Sequence, residues 1–381
     1  MDKNIAHLDL DSFFVSVERL INSSLNGKPV LVGGKSNRSV VASCSYEARR
    51  FGVHSAMPMR MALRLCPEAT VVQGDYELYS KYSDTVTEII GERVPLYEKA
   101  SIDEHYIDLT GMDQFFGCWK WATELRKRII SETGLPISLG LSNSKTTSKI
   151  ATGQAKPCGE LKVDSGTEKE FLAPLSIRKI PMVGEKAYTQ LRNMGISKCL
   201  TLQQMDIFAM RRVMGENGIS IWKKANAIDE SPVVPFFDQK SISKEITFQK
   251  DTIDPDVLKR TLSKMISQLG FELRQEQKLT GCITVKIRYS NFDTHSRQLT
   301  LPYTNSDSVI GQKIFEMFEQ LYSRRMLIRL IGVRFSRLIR GSYQISLFDD
   351  DEKDLNLNLA MDHIRNRYGF KSVSRGGLFV K

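Results

Sequence analysis

Along the first 165 or so residues the pattern of apolar and polar positions switches repeatedly between period two and the helical period. Short β-prone runs occur at 5–10, 29–34, 40–44, 101–109 and 137–142. Helical stretches are predicted from Phe13 onward and at 46–51, 59–65, 76–94, 115–133 and 144–155, the last stopped by Pro157 and Gly159. Within 115–133, Trp119, Ala122, Leu125 and Ile129 recur at helical spacing. Strands alternating with helices predict an α+β or α/β unit built on an inner sheet. Residues 167–232 change character and read as helices, with glycine-bearing turns at 181–184 and 215–218. Pro232, Pro235 and the polar stretch 238–241 predict a linker. Strand patterns at 245–248, 283–289, 298–303 and 328–338, with helices at 256–276 and 308–322, then give the order βαββαβ of a small α+β domain. Near the end, Leu357, Met361, Ile364 and Tyr368 mark one side of a short amphipathic helix.

A chain of 381 residues exceeds one small core, so two to four domains are expected. No apolar run reaches 18 residues, and the first residues lack a signal-peptide core; a cytoplasmic protein with no membrane association is the expectation. The six cysteines are scattered without CxxC spacing, which excludes a disulfide framework or a zinc site of that kind. Charge changes the picture. The formal net charge is +10, and residues 241–341 alone hold 17 Lys and Arg against 10 Asp and Glu. Most of the surplus sits in about a quarter of the chain, which favours a nucleic-acid partner over a solvated surface.

Carboxylates in β-prone, apolar surroundings are costly unless paired or metal-bound. One such stretch is Ser101-Ile102-Asp103-Glu104-His105-Tyr106-Ile107-Asp108-Leu109, and a second is His7-Leu8-Asp9-Leu10-Asp11. Alternation puts Asp9 and Asp11 on one face, opposite Leu8 and Leu10. Adjacent Asp103 and Glu104 would point to opposite faces of an ideal strand, so they converge only if the backbone bends or the metal lies at the strand end. From spacing alone a solvated sheet edge stays open beside a metal site. Acids brought together from separate strands suit divalent ions in phosphoryl or nucleotidyl transfer.

The run His7-Leu8-Asp9-Leu10-Asp11-Ser12-Phe13-Phe14 resembles the first motif of the Y-family DNA polymerases. Ser45-Tyr46-Glu47-Ala48-Arg49-Arg50-Phe51-Gly52-Val53 with Ala56-Met57-Pro58 resembles the second, and Ser101-Ile102-Asp103-Glu104 the third. Ser144-Lys145, Lys149-Ile150-Ala151 and Ala155-Lys156-Pro157 resemble the fourth. Order and separation match along 1–166, closest to the bacterial DNA polymerase IV (DinB-like) group. The resemblance implies an α+β multidomain right-hand polymerase: a ferredoxin-like palm (1–10 and 78–166), small fingers (11–77), a helical thumb with a helix-hairpin-helix-like turn (167–232), a linker (233–242), a βαββαβ little finger (243–341) and a tail (342–381). It implies that Asp9, Asp103 and Glu104 are catalytic and hold two magnesium ions, with the Leu10 carbonyl as a further ligand. It implies that Tyr46, Arg49 and Lys156 grip the triphosphate, that Ser43 adds a hydroxyl, and that Phe14 is the steric gate against a 2′-hydroxyl. Ser55 and Ala56 are small where the family's fingers cover the new base pair.

For DNA, the resemblance implies contacts from the 181–184 hairpin through Val183, Gly184 and Lys186, with Met182 standing where the family has glycine. Basic residues on the predicted little-finger strands, Lys286, Arg288, Arg297, Arg334 and Arg337, are the remaining candidates. Gln344, Ser346, Leu347 and Phe348 resemble the bacterial sliding-clamp peptide, with about thirty residues following it rather than none. His105 stands where a smaller residue is common. The expected activity is low-fidelity translesion synthesis by a monomer on primer-template DNA with deoxynucleoside triphosphates, without proofreading. Two rivals stand beside it. A nucleotidyl cyclase needs neither the basic third unit nor the clamp-like peptide. An inactive DNA- and clamp-binding protein would have lost one of the three acids, and none is lost.

Overall fold

In the computed structural model, residues 3–36, 38–112, 117–236, 238–341 and 351–374 are described. The chain forms two compact units, 1–237 and 238–381.

The first unit opens with β1 (Ile5–Leu10), α1 (Phe13–Ile21), β2 (Val30–Gly33), β3 (Val41–Cys44), α2 (Tyr46–Arg49), α3 (Met59–Leu65) and β4 (Thr70–Val72). It continues through α4 (Tyr76–Gly91), β5 (Tyr97–Lys99), β6 (Glu104–Asp108), α5 (Cys118–Thr133), β7 (Ile137–Ser142), α6 (Lys145–Ala155) and β8 (Glu160–Lys162). The five-stranded sheet has the order β5-β6-β1-β7-β8, so the strand bearing Asp9 lies at its centre. Alternation divides the faces. Ala6, Leu8, Leu10, Ile107, Ile137, Leu139 and Leu141 enter a core with Ala122, Leu125 and Ile129 of α5 and Val86, Ile89 and Ile90 of α4. The other face carries His7, Asp9, Ser138 and Gly140, and α6 lies on it. Gly140 allows that approach: a Cβ there would stand 2.2 Å from the Ser148 carbonyl oxygen and 2.5 Å from the Thr152 nitrogen. Thr152 seals the crossing, its hydroxyl donating to the His7 carbonyl at 3.0 Å.

Residues 11–77, expected as one fingers unit, divide between two cores. Phe13, Val15 and Val17 of α1 join the core of the five-stranded sheet. Leu31, Val41, Ala48, Met57, Met59 and Ala62 form a separate small core around the sheet β3-β2-β4. A nine-residue amphipathic helix has to bury its apolar face somewhere, and the large sheet is the surface available to it.

Helices α7 (Glu168–Leu172), α8 (Glu185–Asn193), α9 (Cys199–Gln203) and α10 (Ile207–Ala225) complete the unit around their own cluster of Leu172, Ile177, Leu191, Leu202 and Ile221. The expected linker is not loose at its start. Val233 is buried against Ile5 and Tyr106, and the Val234 N–H donates to Glu98 at 2.8 Å. Glu98 itself receives Lys145 Nζ at 2.6 and 2.7 Å, so a buried acid is paired and the segment is held down.

The second unit contains β9 (Ser241–Thr252), α11 (Pro255–Gln275), β10 (Lys278–Tyr289), β11 (Thr294–Thr304), α12 (Asp307–Leu321), β12 (Ile328–Arg340) and α13 (Asp351–Tyr368). The βαββαβ order is as read, with longer strands, in the sheet order β11-β10-β12-β9. Helix α13 departs from expectation. Met361 is buried, but Leu357 and Tyr368 are exposed; the docked side is polar, with Asn358, Asp362 and Arg365 buried. Arg274 of α11 explains this, donating to Asp362 at 2.5 and 3.1 Å and to Asp307 at 2.8 Å. Among the described residues no helix is long and apolar enough to cross a membrane.

Gly140→Ala is expected to destabilise the chain by about 1–3 kcal/mol, because the atoms it meets are backbone and cannot move aside. Thermal melting checks this; an unchanged melting temperature would refute the close approach of α6.

Candidate active site

Asp9 and Glu104 are direct partners in the antiparallel register of β1 and β6, and therefore share a face. Asp103 is not in the strand. It closes the bend between β5 and β6, where Ala100 N–H reaches the Glu104 carbonyl at 3.0 Å and Leu10 N–H reaches the Asp103 carbonyl at 3.0 Å. The bend removes the alternation problem: Glu104 projects from the strand face and Asp103 from the turn beside it. The Ser101 hydroxyl donates to Asp103 Oδ1 at 2.5 Å.

Two lysines from the α6 segment answer the acids. Lys149 donates to Glu104 Oε1. Lys156, just past the helix end, donates to Asp9 Oδ1 at 2.5 Å. On balance the Asp9 carboxyl is pushed up to about 7: burial raises it most, Lys156 lowers it, and the charges of Glu104 and Asp103 raise it further. Among the described residues no three His, Cys, Asp or Glu side chains converge on one point. The donor chemistry nonetheless suits a hard divalent cation: Asp9 faces Glu104 across the strand pair and borders one cleft with Asp103 and Leu10.

Asp11 has a separate task. It is buried, and it accepts Tyr46 Oη at 2.9 Å, Ser138 Oγ at 2.8 Å and the Cys158 N–H at 2.7 Å. It thereby ties α2, β7 and the turn after Lys156 together beyond the end of β1. Ser12 follows in a left-handed conformation (φ 43°) that turns the chain into α1. Burial and the Asp11 charge push the Tyr46 phenol upward, so it remains a donor.

The cleft beside the acids is lined by Asp9, Leu10, Phe14, Ser43, Arg49, Ser55, Asp103 and Lys156. Cations and ring therefore share a wall with carboxylates. Arg49 lies 4.8 Å over the Tyr46 ring, a stacked placement that pre-orients its fork. Phe14 stacks on Tyr79 at 4.3 Å with the rings 12° apart, and Tyr79 Oη is held by Glu18 at 2.6 Å. Asp11, expected on the Asp9 face of the strand, instead lies just past the end of β1, and the sequence assigned no role to Tyr79 or Lys149. Lys149 belongs to the fourth motif; Tyr79 had no local signal, because its role depends on α4 meeting α1.

His105 points away from the acids. It is buried on the α4 side, with Nε2 2.9 Å from the Thr87 hydroxyl, and burial pushes its imidazole down to about 3. It is a packed histidine, not a ligand to the site.

In the hairpin before α8, Gly184 is the N-cap, Lys186 is exposed, and Val183 N–H is used by the Ile180 carbonyl at 3.1 Å. Met182 sits at φ 80° and is exposed. The turn thus keeps a glycine-like backbone with a side chain attached. In the second unit, register places Lys286, Arg288 and Arg334 on the sheet face away from α11 and α12. Arg297 pairs with Val285, whose side chain joins the helix-covered core, so alternation puts it on the opposite face. Arg337 is exposed and sits at φ 52°, beside the bulge at 280–282, outside the regular alternation. Gln344, Ser346, Leu347 and Phe348 lie outside the described residues.

Comparison with known proteins gives the class. The impB/mucB/samB family profile matches residues 8–153, and its C-terminal domain profile matches 239–347. The chain belongs to this family, the Y-family DNA polymerases. Over nearly its whole length it resembles proteins named DNA polymerase IV. That of Dehalococcoides mccartyi (strain ATCC BAA-2100 / JCM 16839 / KCTC 5957 / BAV1) is 36% identical, with 98% of this chain and 97% of the relative covered. That of Methanoculleus marisnigri (strain ATCC 35101 / DSM 1498 / JR1) is 35% identical over 91% of this chain and 97% of the relative. A solved Y-family DNA polymerase chimera shares the fold, with a TM-score of 0.78 at 24% identity, covering 89% of this chain and all of the other. The chain is a DNA-directed DNA polymerase, a nucleotidyltransferase of the translesion and repair class.

Met182→Gly is expected to stabilise the chain by about 0.5–1 kcal/mol, since a non-glycine residue in the left-handed region is strained. A higher melting temperature supports this; no change would mean that the hairpin carries no strain at Met182.

Proposed function

We propose that the chain is a low-fidelity translesion polymerase that extends a primer 3′ end on damaged or undamaged template, without proofreading. The observation that carries this is the pairing of Asp9 with Glu104 across β1 and β6, with Asp103 in the adjoining bend, at a cleft whose wall holds Arg49, Lys156 and Phe14. Asp9, Asp103, Glu104 and the Leu10 carbonyl would hold two Mg²⁺ ions, which neutralise charge on the attacking and leaving oxygens when bound.

The chain's own residues do the rest. Arg49 offers a forked pair of donors, and Lys156 a point charge, to the triphosphate. Lys156 leaves Asp9 to do so, and Asp11 keeps the turn that carries it in place. Tyr46 is held by Asp11 with its ring under Arg49, and Ser43 adds a hydroxyl to the cleft wall. Phe14, backed by Tyr79, puts a rigid ring where a ribose 2′-hydroxyl would need space. Asp9 and Glu104 stay in register because β1 is paired on both sides.

Val183, Gly184 and Lys186 contribute to DNA backbone binding at the start of α8. The open sheet face bearing Lys286, Arg288 and Arg334 is the stronger little-finger candidate; Arg337 adds charge nearby, and Arg297 serves at the edge. The peptide at 344–348 engages the bacterial sliding clamp. The protein works as a cytoplasmic monomer, with palm, fingers, thumb and little finger as in the family.

Primer extension with Mg²⁺ and single nucleotides tests the reading. Asp103→Ala and Glu104→Ala are each expected to abolish extension while retaining DNA binding, and Phe14→Ala to admit ribonucleotides. Retained extension would sink the metal assignment, and unchanged sugar discrimination the gate. Deleting 344–348 is expected to remove clamp stimulation and leave basal extension; equal stimulation of both proteins would argue against the peptide.

A further inference from the structure

Each acid of the site is answered by a donor from the chain itself, and the three donors differ in what else they do. The Ser101 hydroxyl bridges the bend, donating to Asp103 Oδ1 at 2.5 Å and accepting the Asp103 N–H at 3.3 Å. Lys156 serves Asp9 and, in the function proposed above, the triphosphate. Lys149 has no such second duty. It lies one turn beyond Lys145, whose ammonium is committed to Glu98. Its own ammonium meets Glu104 Oε1.

We propose that Lys149 is the resident counter-ion of Glu104 and competes with the divalent cation for that carboxylate. This rests on the assignment of Asp9, Asp103 and Glu104 to cation binding. Three observations carry it. Glu104 faces Asp9 directly across the strand pair, and like charges so placed repel unless a cation intervenes. Lys149 and Glu104 are partly exposed, at 33% and 22% of their side-chain surface, so the ammonium has a route into water when displaced. The lysine is fixed at its base by the tight crossing of α6 over Gly140, so it returns to the same carboxylate. A lysine ammonium offers one charge on a flexible stem and makes a weaker claim on a carboxylate than a divalent ion. Lys149 is thus a positioning residue. It keeps Glu104 in register before the cation arrives and sets how much cation is needed to take its place.

The test is Mn²⁺ binding to the full-length chain without DNA, followed by calorimetry or electron paramagnetic resonance. Circular dichroism first establishes that each variant is folded. Lys149→Met is expected to bind Mn²⁺ about two- to fivefold more tightly than wild type, the size of a partly exposed ion pair. In a Glu104→Gln background the same substitution is expected to change nothing, because its effect passes through Glu104. Equal or weaker binding by Lys149→Met overturns the proposal, and so does a gain that persists in Glu104→Gln. Lys149→Gln replaces Lys149→Met in both comparisons should the latter not fold. Asp103→Ala separates this from the underlying reading: if it binds Mn²⁺ as wild type does, the cation is not held by these acids and the proposed function fails instead.

Discussion

The structure depends on keeping two carboxylates opposite one another at the centre of a sheet. Asp9 and Glu104 are register partners on neighbouring strands, and Asp103 adds a third negative charge from the adjoining bend. Such an arrangement opposes folding unless positive charge is delivered to it. The delivery comes from α6 and the residue after it, through Lys149 and Lys156. Those lysines reach the acids because α6 crosses the sheet at Gly140 with no intervening side chain. A glycine without chemistry of its own is therefore as necessary to the site as the acids are.

Asp11 plays a complementary part. It is an acid of the first motif, but its carboxylate meets donors of the chain: the Tyr46 phenol, the Ser138 hydroxyl, the Cys158 N–H and, at 3.6 Å, Lys156. Its charge is spent on assembly, and the result is that the small α2 segment and the turn behind Lys156 share one anchor. Phe14 is held in an analogous way by Tyr79, which in turn is held by Glu18. Lys156 and Phe14 are each fixed by a neighbour from another element and Arg49 by Tyr46 of its own helix, which is what a site that works by positioning requires.

The second unit divides its sheet by the same alternation that the strands impose. One face is an apolar core under α11 and α12; the other carries Lys286, Arg288 and Arg334. The terminal helix α13 joins this unit through a buried ionic cluster in which Arg274 serves both Asp307 and Asp362, and Arg365 donates to Ser267 at 2.8 Å. Polar residues dock this helix while Leu357 and Tyr368 stay outside. An apolar pattern in the sequence pointed to the wrong side because the partner surface offered a buried arginine.

Motif order along the chain was enough to identify the polymerase class, and the hydrophobic pattern gave the βαββαβ order of the second unit, while the short strands β4, β5 and β8 of the first unit carried no pattern of their own. Motif order and element order are properties of residue type and spacing, and chemistry that needs paired acids and forked cations leaves them in linear order. The sequence by itself did not determine which face or which side of a boundary a residue takes. Asp103 falls in a bend because backbone hydrogen bonds from Leu10 and Ala100 close the chain there. His105 turns to Thr87, Arg297 to the helix side of its sheet, and α1 to the large core. Lys149 acquires its partner only when α6 packs against β1 and β7. Each of these outcomes depends on contacts between segments far apart in the chain, and tertiary packing decides them, since spacing within one segment carries no information about what the other segment presents.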